Sequence, residues 1–79
     1  MPELLPVQCK MARAALGLGV RELALKSDVS TDTIVRYERG DPTIRPRTVA
    51  ALRATLEAAG IEFIDPNGGG PGVRLREPL

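Results

Sequence analysis

Apolar residues recur at helical spacing as far as Gly60 and at alternate positions beyond it. Cys9, Ala12 and Leu16 fall at i, i+3 and i+7, which places them on one face of a first helix. Pro6 suits the first turn of that helix, where its missing N–H costs nothing, and Gly17 and Gly19 end it. A second helix covers about Val20 to Ser27, with Leu23 and Ala24 inward. Asp28-Val29-Ser30 makes the turn that follows. Aspartate tolerates the left-handed conformation better than most residues, and Val29 can plug the core beneath it. Ser30 is a good N-cap for a third helix in which Ile34 and Tyr37 face inward. That leaves Thr31, Asp32, Val35, Arg36 and Arg39 on its outer face. Gly40 and then Asp41-Pro42 stop the helix. Pro46 opens a fourth helix with Val49, Leu52 and Leu56 as its inner stripe; Gly60 closes it and Ile61 packs on the cap.

Beyond Gly60 the period is that of a strand. Ile61 and Phe63 point one way, Glu62 and Ile64 the other, and Val73 and Leu75 alternate with Arg74 and Arg76. The intervening Asp65-Pro66-Asn67-Gly68-Gly69-Gly70-Pro71-Gly72 forms a turn. Two short antiparallel strands are expected, with Glu62 near the arginines across the ladder. The fold class is therefore mainly α: four helices followed by a short C-terminal antiparallel β-hairpin. The 79 residues suit a single domain, with a helical core over 6–60 and a hairpin extension over 61–76. Glu77-Pro78-Leu79 reads as a frayed end. A core this small is marginal unless a partner subunit adds to it.

Composition narrows the chemistry. Cys9 is the sole cysteine and there is no histidine, so neither a disulfide within the chain nor a zinc site is expected. An inert core thiol at Cys9 is favoured over a redox switch because Cys9 lies on the apolar face. Gly68-Gly69-Gly70-Pro71-Gly72 lacks the Lys-Ser/Thr ending and following helix of a phosphate loop. Tyr37 and Phe63 read as core residues, not as a base-stacking platform. No acid/base pair in a pocket suggests an enzyme, and no cofactor or metal is expected. No apolar run approaches the ~20 residues of a membrane span. Met-Pro-Glu-Leu-Leu-Pro lacks the basic start and apolar run of a signal peptide, so a cytoplasmic location is expected. The net charge is only +1. Its distribution says more: Arg36, Arg39, Arg45, Arg47 and Arg53 stand against Glu38 and Asp41, a local +3. Residues 54–79 hold Arg74 and Arg76 against Glu57, Glu62, Asp65 and Glu77, a local −2. A nearly neutral protein can thus present one basic face, although each arginine taken singly is as well read as merely solvated.

Residues 18–40, L-G-V-R-E-L-A-L-K-S-D-V-S-T-D-T-I-V-R-Y-E-R-G, resemble the helix-turn-helix of the phage-repressor/Cro-type (xenobiotic-response-element) regulators. The features in register are Leu23-Ala24, the turn ending in Val29-Ser30, Ile34, and Tyr37-Glu38-Arg39-Gly40. Gln8 to Gly17 looks like the family's first helix, Arg45-Pro46-Arg47 like the basic opening of its fourth, and Ile61 to Arg76 like the tail of short stand-alone bacterial members. Two positions depart from it. Val20 stands where many relatives have a glutamine that touches DNA backbone, and Asp28 stands where many have glycine.

The resemblance implies a compact lambda-repressor-like domain and a mechanism. The helix over 30–39 would read the major groove of double-stranded DNA, with the second helix crossing the backbone. Residues Ser30, Thr31, Asp32, Thr33, Arg36, Arg39, Arg45 and Arg47 make up the implied DNA-binding set. Thr31, Asp32 and Arg36 match positions that meet base edges. Arginine can pair with guanine, and Asp32 either accepts from cytosine N4 or simply favours the helix dipole. Thr33 is placed to contact a phosphate. Arg45 and Arg47 would grip phosphates or reach into the minor groove. Arg13 and Glu38 match positions that form a structural ion pair between helices in relatives. A transcription regulator, most simply a repressor, follows. A homodimer through Ile64 or the outer edge of Val73–Arg76 is expected, because an open strand edge tends to be covered and half-sites favour two-fold symmetry. The alternative is a protein-interaction module, or an antitoxin that binds both a toxin and its own operator.

Overall fold

A computed structural model describes residues 4–78. Residues 1–3 of the expected domain and Leu79 of its expected frayed end lie outside the described residues. The chain forms α1 (Pro6–Leu16), α2 (Val20–Ser27), α3 (Thr31–Glu38), α4 (Pro46–Ala58), β1 (Ile61–Ile64) and β2 (Gly72–Leu75), the four helices and hairpin that the hydrophobic periods predict.

Each helix starts and stops where local chemistry provides for its end groups. Ahead of α1 the Leu5 N–H donates to Gln8 Oε1 at 3.0 Å, and Pro6 occupies the first turn. Gly19 N–H donates to Glu22 Oε1 at 2.8 Å at the start of α2. Ser30 Oγ accepts from the Thr33 N–H at 3.1 Å and caps α3. Asp28 closes α2 in the left-handed conformation with φ 61°, as the turn requires of a residue that must reverse the chain within three positions. At the end of α3, Gly40 takes φ 90°, which a β-carbon would oppose, and this releases the chain sharply toward α4.

Leu23, Ile34, Leu52 and Leu56 are fully buried with Cys9 and Ala12, and Leu4, Tyr37 and Ile61 complete the core. Leu16, Ala24, Val29 and Val49, each predicted to face inward, pack against it while half-buried. The Tyr37 hydroxyl donates to the Leu4 carbonyl, tying the chain ahead of α1 to α3. One expectation needs correction: Val35 is half-buried rather than fully on the outer face, since its position on α3 lies between the buried Ile34 and Glu38 side and the exposed Asp32 and Arg36 side; Thr33 is likewise half-buried.

The hairpin pairs Ile61 with Leu75, Glu62 with Arg74, Phe63 with Val73 and Ile64 with Gly72. Its β1 strand lies against α4 and β2 against α1. Gln8 fixes this docking. Its side chain is buried, and Nε2 donates to the carbonyls of Ile64 at 3.2 Å and Gly72 at 3.1 Å while Oε1 caps α1. One amide thus ties together groups from three segments. On the far side of the hairpin Arg74 Nε meets Glu62 Oε1 at 2.6 Å, while Arg76 turns instead to the Glu57 carbonyl.

Candidate nucleic-acid interface

The turn Asp28-Val29-Ser30 sets α2 against α3, and α3 is held to the scaffold by its inner side: Ile34, Tyr37 and Glu38. The strongest tether is ionic. Arg13 Nε donates to Glu38 Oε2 at 2.8 Å and Nη2 to Oε1 at 2.7 Å, a two-pronged pair between α1 and the end of α3. The Arg13 Nη1 donates to the Leu18 carbonyl at 3.2 Å, so the same guanidinium also holds the α1–α2 loop. Burial alone would raise the Glu38 carboxyl. The hydrogen bonds from Arg13 and the Cys9 thiol, with the nearby positive charge, outweigh it and hold the group below the usual carboxylate range. Burial, and then the bond to Glu38, push the Cys9 thiol far up, so it remains protonated. Cys9 is therefore a buried, protonated core thiol on the inner side of α1.

The outer side of α3 carries Thr31, Asp32, Arg36 and Arg39, all exposed. Ser30 Oγ–H donates to Thr33 Oγ1 at 2.8 Å, so the half-buried Thr33 side chain is tied to the N-cap. Arg36 does not extend freely into solvent. Its Nε donates to Asp41 Oδ2 at 2.9 Å and its Nη2 to Thr43 Oγ1 at 3.2 Å, while Nη1 stands 3.7 Å from Asp32 Oδ2. Between α3 and the start of α4 runs a groove of about 320 Å³ lined by Thr33, Arg36, Thr43, Ile44, Arg45 and Thr48. Arg45 is the residue ahead of α4 and offers no side-chain cap, and Pro46 has no N–H. The Thr48 and Val49 N–H groups bond back to the Arg45 carbonyl at 2.9 and 3.1 Å, and Arg45 and Arg47, both exposed, add positive charge at this positive end of the helix.

The structure brings Thr31, Asp32, Thr33 and Arg36 together on α3 with Ser30 and Arg39 at its two ends, and sets Arg45 across the groove from Arg36, with Arg47 in the first turn of α4. Among the described residues, Arg39, Arg45 and Arg47 have no ion-pair partner. Arg53 does not belong with them. Its guanidinium lies 4.9 Å over the Phe63 ring and pairs with Glu57 at 3.2 Å, so it joins α4 to the hairpin. The basic run of residues 36–53 is thus two features, and only its first part is a surface. Sequence reasoning missed Thr43 and Thr48 as groove residues. The spacing Asp41-x-Thr43, which suits an aspartate-initiated turn, was the available signal for the first.

A family model described as a helix-turn-helix domain matches residues 7–63, from the first turn of α1 into β1. The chain belongs to the helix-turn-helix domain family. No curated protein matches it. A helix-turn-helix domain is a DNA-binding module of transcription regulators, in which the second helix of the motif lies in the major groove and the first crosses the backbone. In this helix-turn-helix domain the two helices of the motif are α2 and α3. Among the described residues no helix is long and apolar enough to cross a membrane.

Proposed function

We propose that this chain is a sequence-specific reader of double-stranded DNA of the phage-repressor/Cro type, a repressor that places α3 in the major groove. The observation that carries the reading is the continuity of one polar, basic surface. It runs from Arg36 on α3, beside the exposed Thr31 and Asp32, through the groove to Arg45, with Arg47 exposed in the first turn of α4, on a helix whose opposite side is buried. Thr31, Asp32 and Arg36 meet base edges, whereas Thr33, Arg45 and Arg47 meet phosphates, and Arg39 adds positive charge at the far end of α3. Selection from a pool of random duplexes is expected to return a common site, bound tighter than scrambled DNA and progressively weaker as salt rises. Equal binding of selected and scrambled duplex at every salt concentration would overturn it in favour of the protein-interaction reading.

The reader acts as a homodimer. Leu5 and Ile64 are both exposed apolar residues, and both segments bond to the one Gln8 amide, so they lie side by side at the α1–hairpin junction. Covering that patch and the neighbouring strand edge with a second copy suits a two-fold DNA site. Sedimentation equilibrium on the DNA-bound protein should give two chains per site, and Ile64→Lys should reduce this to one. One chain per site for the unaltered protein rejects the dimer.

A further inference from the structure

We infer that Asp41 and Thr43, on the segment between α3 and α4, are positioning residues that aim Arg36 at a base pair; this rests on the DNA-reading function proposed above. The contacts form a closed ring. Asp41 Oδ1 accepts from the Thr43 backbone N–H at 2.8 Å and from its hydroxyl at 2.6 Å, which makes the turn rigid. Asp41 Oδ2 accepts from Arg36 Nε at 2.9 Å, and Thr43 Oγ1 accepts from Arg36 Nη2 at 3.2 Å. The Thr43 hydroxyl therefore donates to Asp41 and accepts from Arg36 at once.

This arrangement uses one edge of the guanidinium and spares the other. Arginine has five N–H donors in a planar fork. The ring takes the Nε–H and one Nη2–H. Both Nη1 hydrogens and the second Nη2–H remain, and one Nη1–H with that Nη2–H forms the end-on fork that fits guanine O6 and N7. Asp32 does not consume that fork, because its 3.7 Å separation from Nη1 is beyond hydrogen-bond reach. The Asp41 carboxyl is held below its ordinary range, first by the Thr43 hydroxyl and backbone N–H and then by Arg36, so the ring persists through neutral pH. A long flexible side chain is thereby fixed before DNA arrives, which removes ordering that binding would otherwise have to supply.

The arrangement also has a cost that gives it a signature. Asp41 places a negative charge beside the DNA surface and so opposes phosphate-driven binding to any sequence. Asp41 should then raise selectivity while lowering non-specific affinity, whereas a residue needed only for folding would support both. Asp41→Asn is the informative change, because the amide oxygen keeps the turn with the Thr43 N–H while the NH2 faces Arg36 Nε and repels it.

The test measures base preference by selection, and affinity for scrambled duplex at several salt concentrations, for the unaltered protein, Arg36→Ala, Asp41→Asn, Thr43→Val, Thr43→Ser and the Arg36→Ala/Asp41→Asn pair. Asp41→Asn is expected to cut preference about tenfold at the base pair whose readout Arg36→Ala abolishes. It should bind scrambled duplex a few-fold tighter at low salt. Thr43→Val should lose part of the same preference and Thr43→Ser should retain it. Adding Asp41→Asn to Arg36→Ala should remove no further preference. If Arg36→Ala erases a base preference but Asp41→Asn preserves it, the positioning role is wrong while base reading by Arg36 stands. A parallel loss of selective and scrambled binding in Asp41→Asn would reduce Asp41 to a folding role and likewise overturn the inference. If Arg36→Ala leaves every base preference intact, base reading by Arg36 fails and takes the positioning role with it.

Discussion

Arg13→Ala is expected to cost about 3–5 kcal/mol of folding stability, and Glu38→Ala less. The asymmetry follows from burial. The Glu38 side chain is only 5% exposed, so without Arg13 it is left as a poorly compensated ion in the core. The Arg13 side chain is 20% exposed and keeps its bond to the Leu18 carbonyl, so without Glu38 it can turn toward water. Urea unfolding of both single variants and of the double variant should return a coupling energy of about 1–3 kcal/mol. Additive losses would show that the pair does not hold α3. The pH dependence has a definite sign. The Glu38 carboxyl is lowered in the folded state, so its stabilisation is complete above the unfolded value of about 4.3 and is lost as pH falls through the folded value. In Arg13→Ala the opposing effect of burial is left in command and the group's affinity for a proton rises. The acid limb of that variant's stability curve should therefore move toward neutral pH, and an unchanged limb would count against Glu38 as the responsible group.

What could be read from the chain was whatever local chemistry decides. The two proline-opened helices, the Ser30 cap, the left-handed Asp28 and the change of period at Ile61 each depend on neighbours within a few positions. The Arg13–Glu38 pairing joins residues 25 positions apart and was accessible only through family resemblance. Gln8 shows the limit: nothing in its surroundings announces that its amide would clasp the end of a hairpin 56 and 64 positions away. Arg53 shows a different one. Its i, i+4 relation to Glu57 was readable, but counting charge along the chain grouped it with arginines from which the helix turns it away, and its seat over Phe63 exists only once the hairpin docks. Asp41 read as part of a stop signal because its meaning lies in the side chain that folds back to meet it.

Arg36→Ala on one hand, and Arg45→Ala and Arg47→Ala on the other, should leave opposite signatures on DNA binding. Arg36 stands on the exposed side of α3 with its end-on fork unspent, so on the proposed function its loss is expected to remove a base contact. Such a contact is worth about 1–3 kcal/mol of discrimination. Selectivity should vanish at one position per half-site while much of the affinity for scrambled duplex survives. That survival is expected because Arg36 is already paired with the negative charge of Asp41 at 2.9 Å. Arg45 and Arg47 flank Pro46 at the start of α4, unpaired, beside a first turn whose N–H groups have no side-chain cap. Phosphates are the natural partners there. Losing either arginine should weaken binding to all sequences about equally and reduce the slope of log affinity against log salt by roughly 1. If one of them enters a narrow A·T-rich minor groove, some preference for that shape will go as well. The measurement is the affinity of the three variants for a selected site and for scrambled DNA across a salt series. A uniform loss in Arg36→Ala, or a change of preferred base in both Arg45→Ala and Arg47→Ala, would show that the two kinds of contact have been assigned the wrong way round.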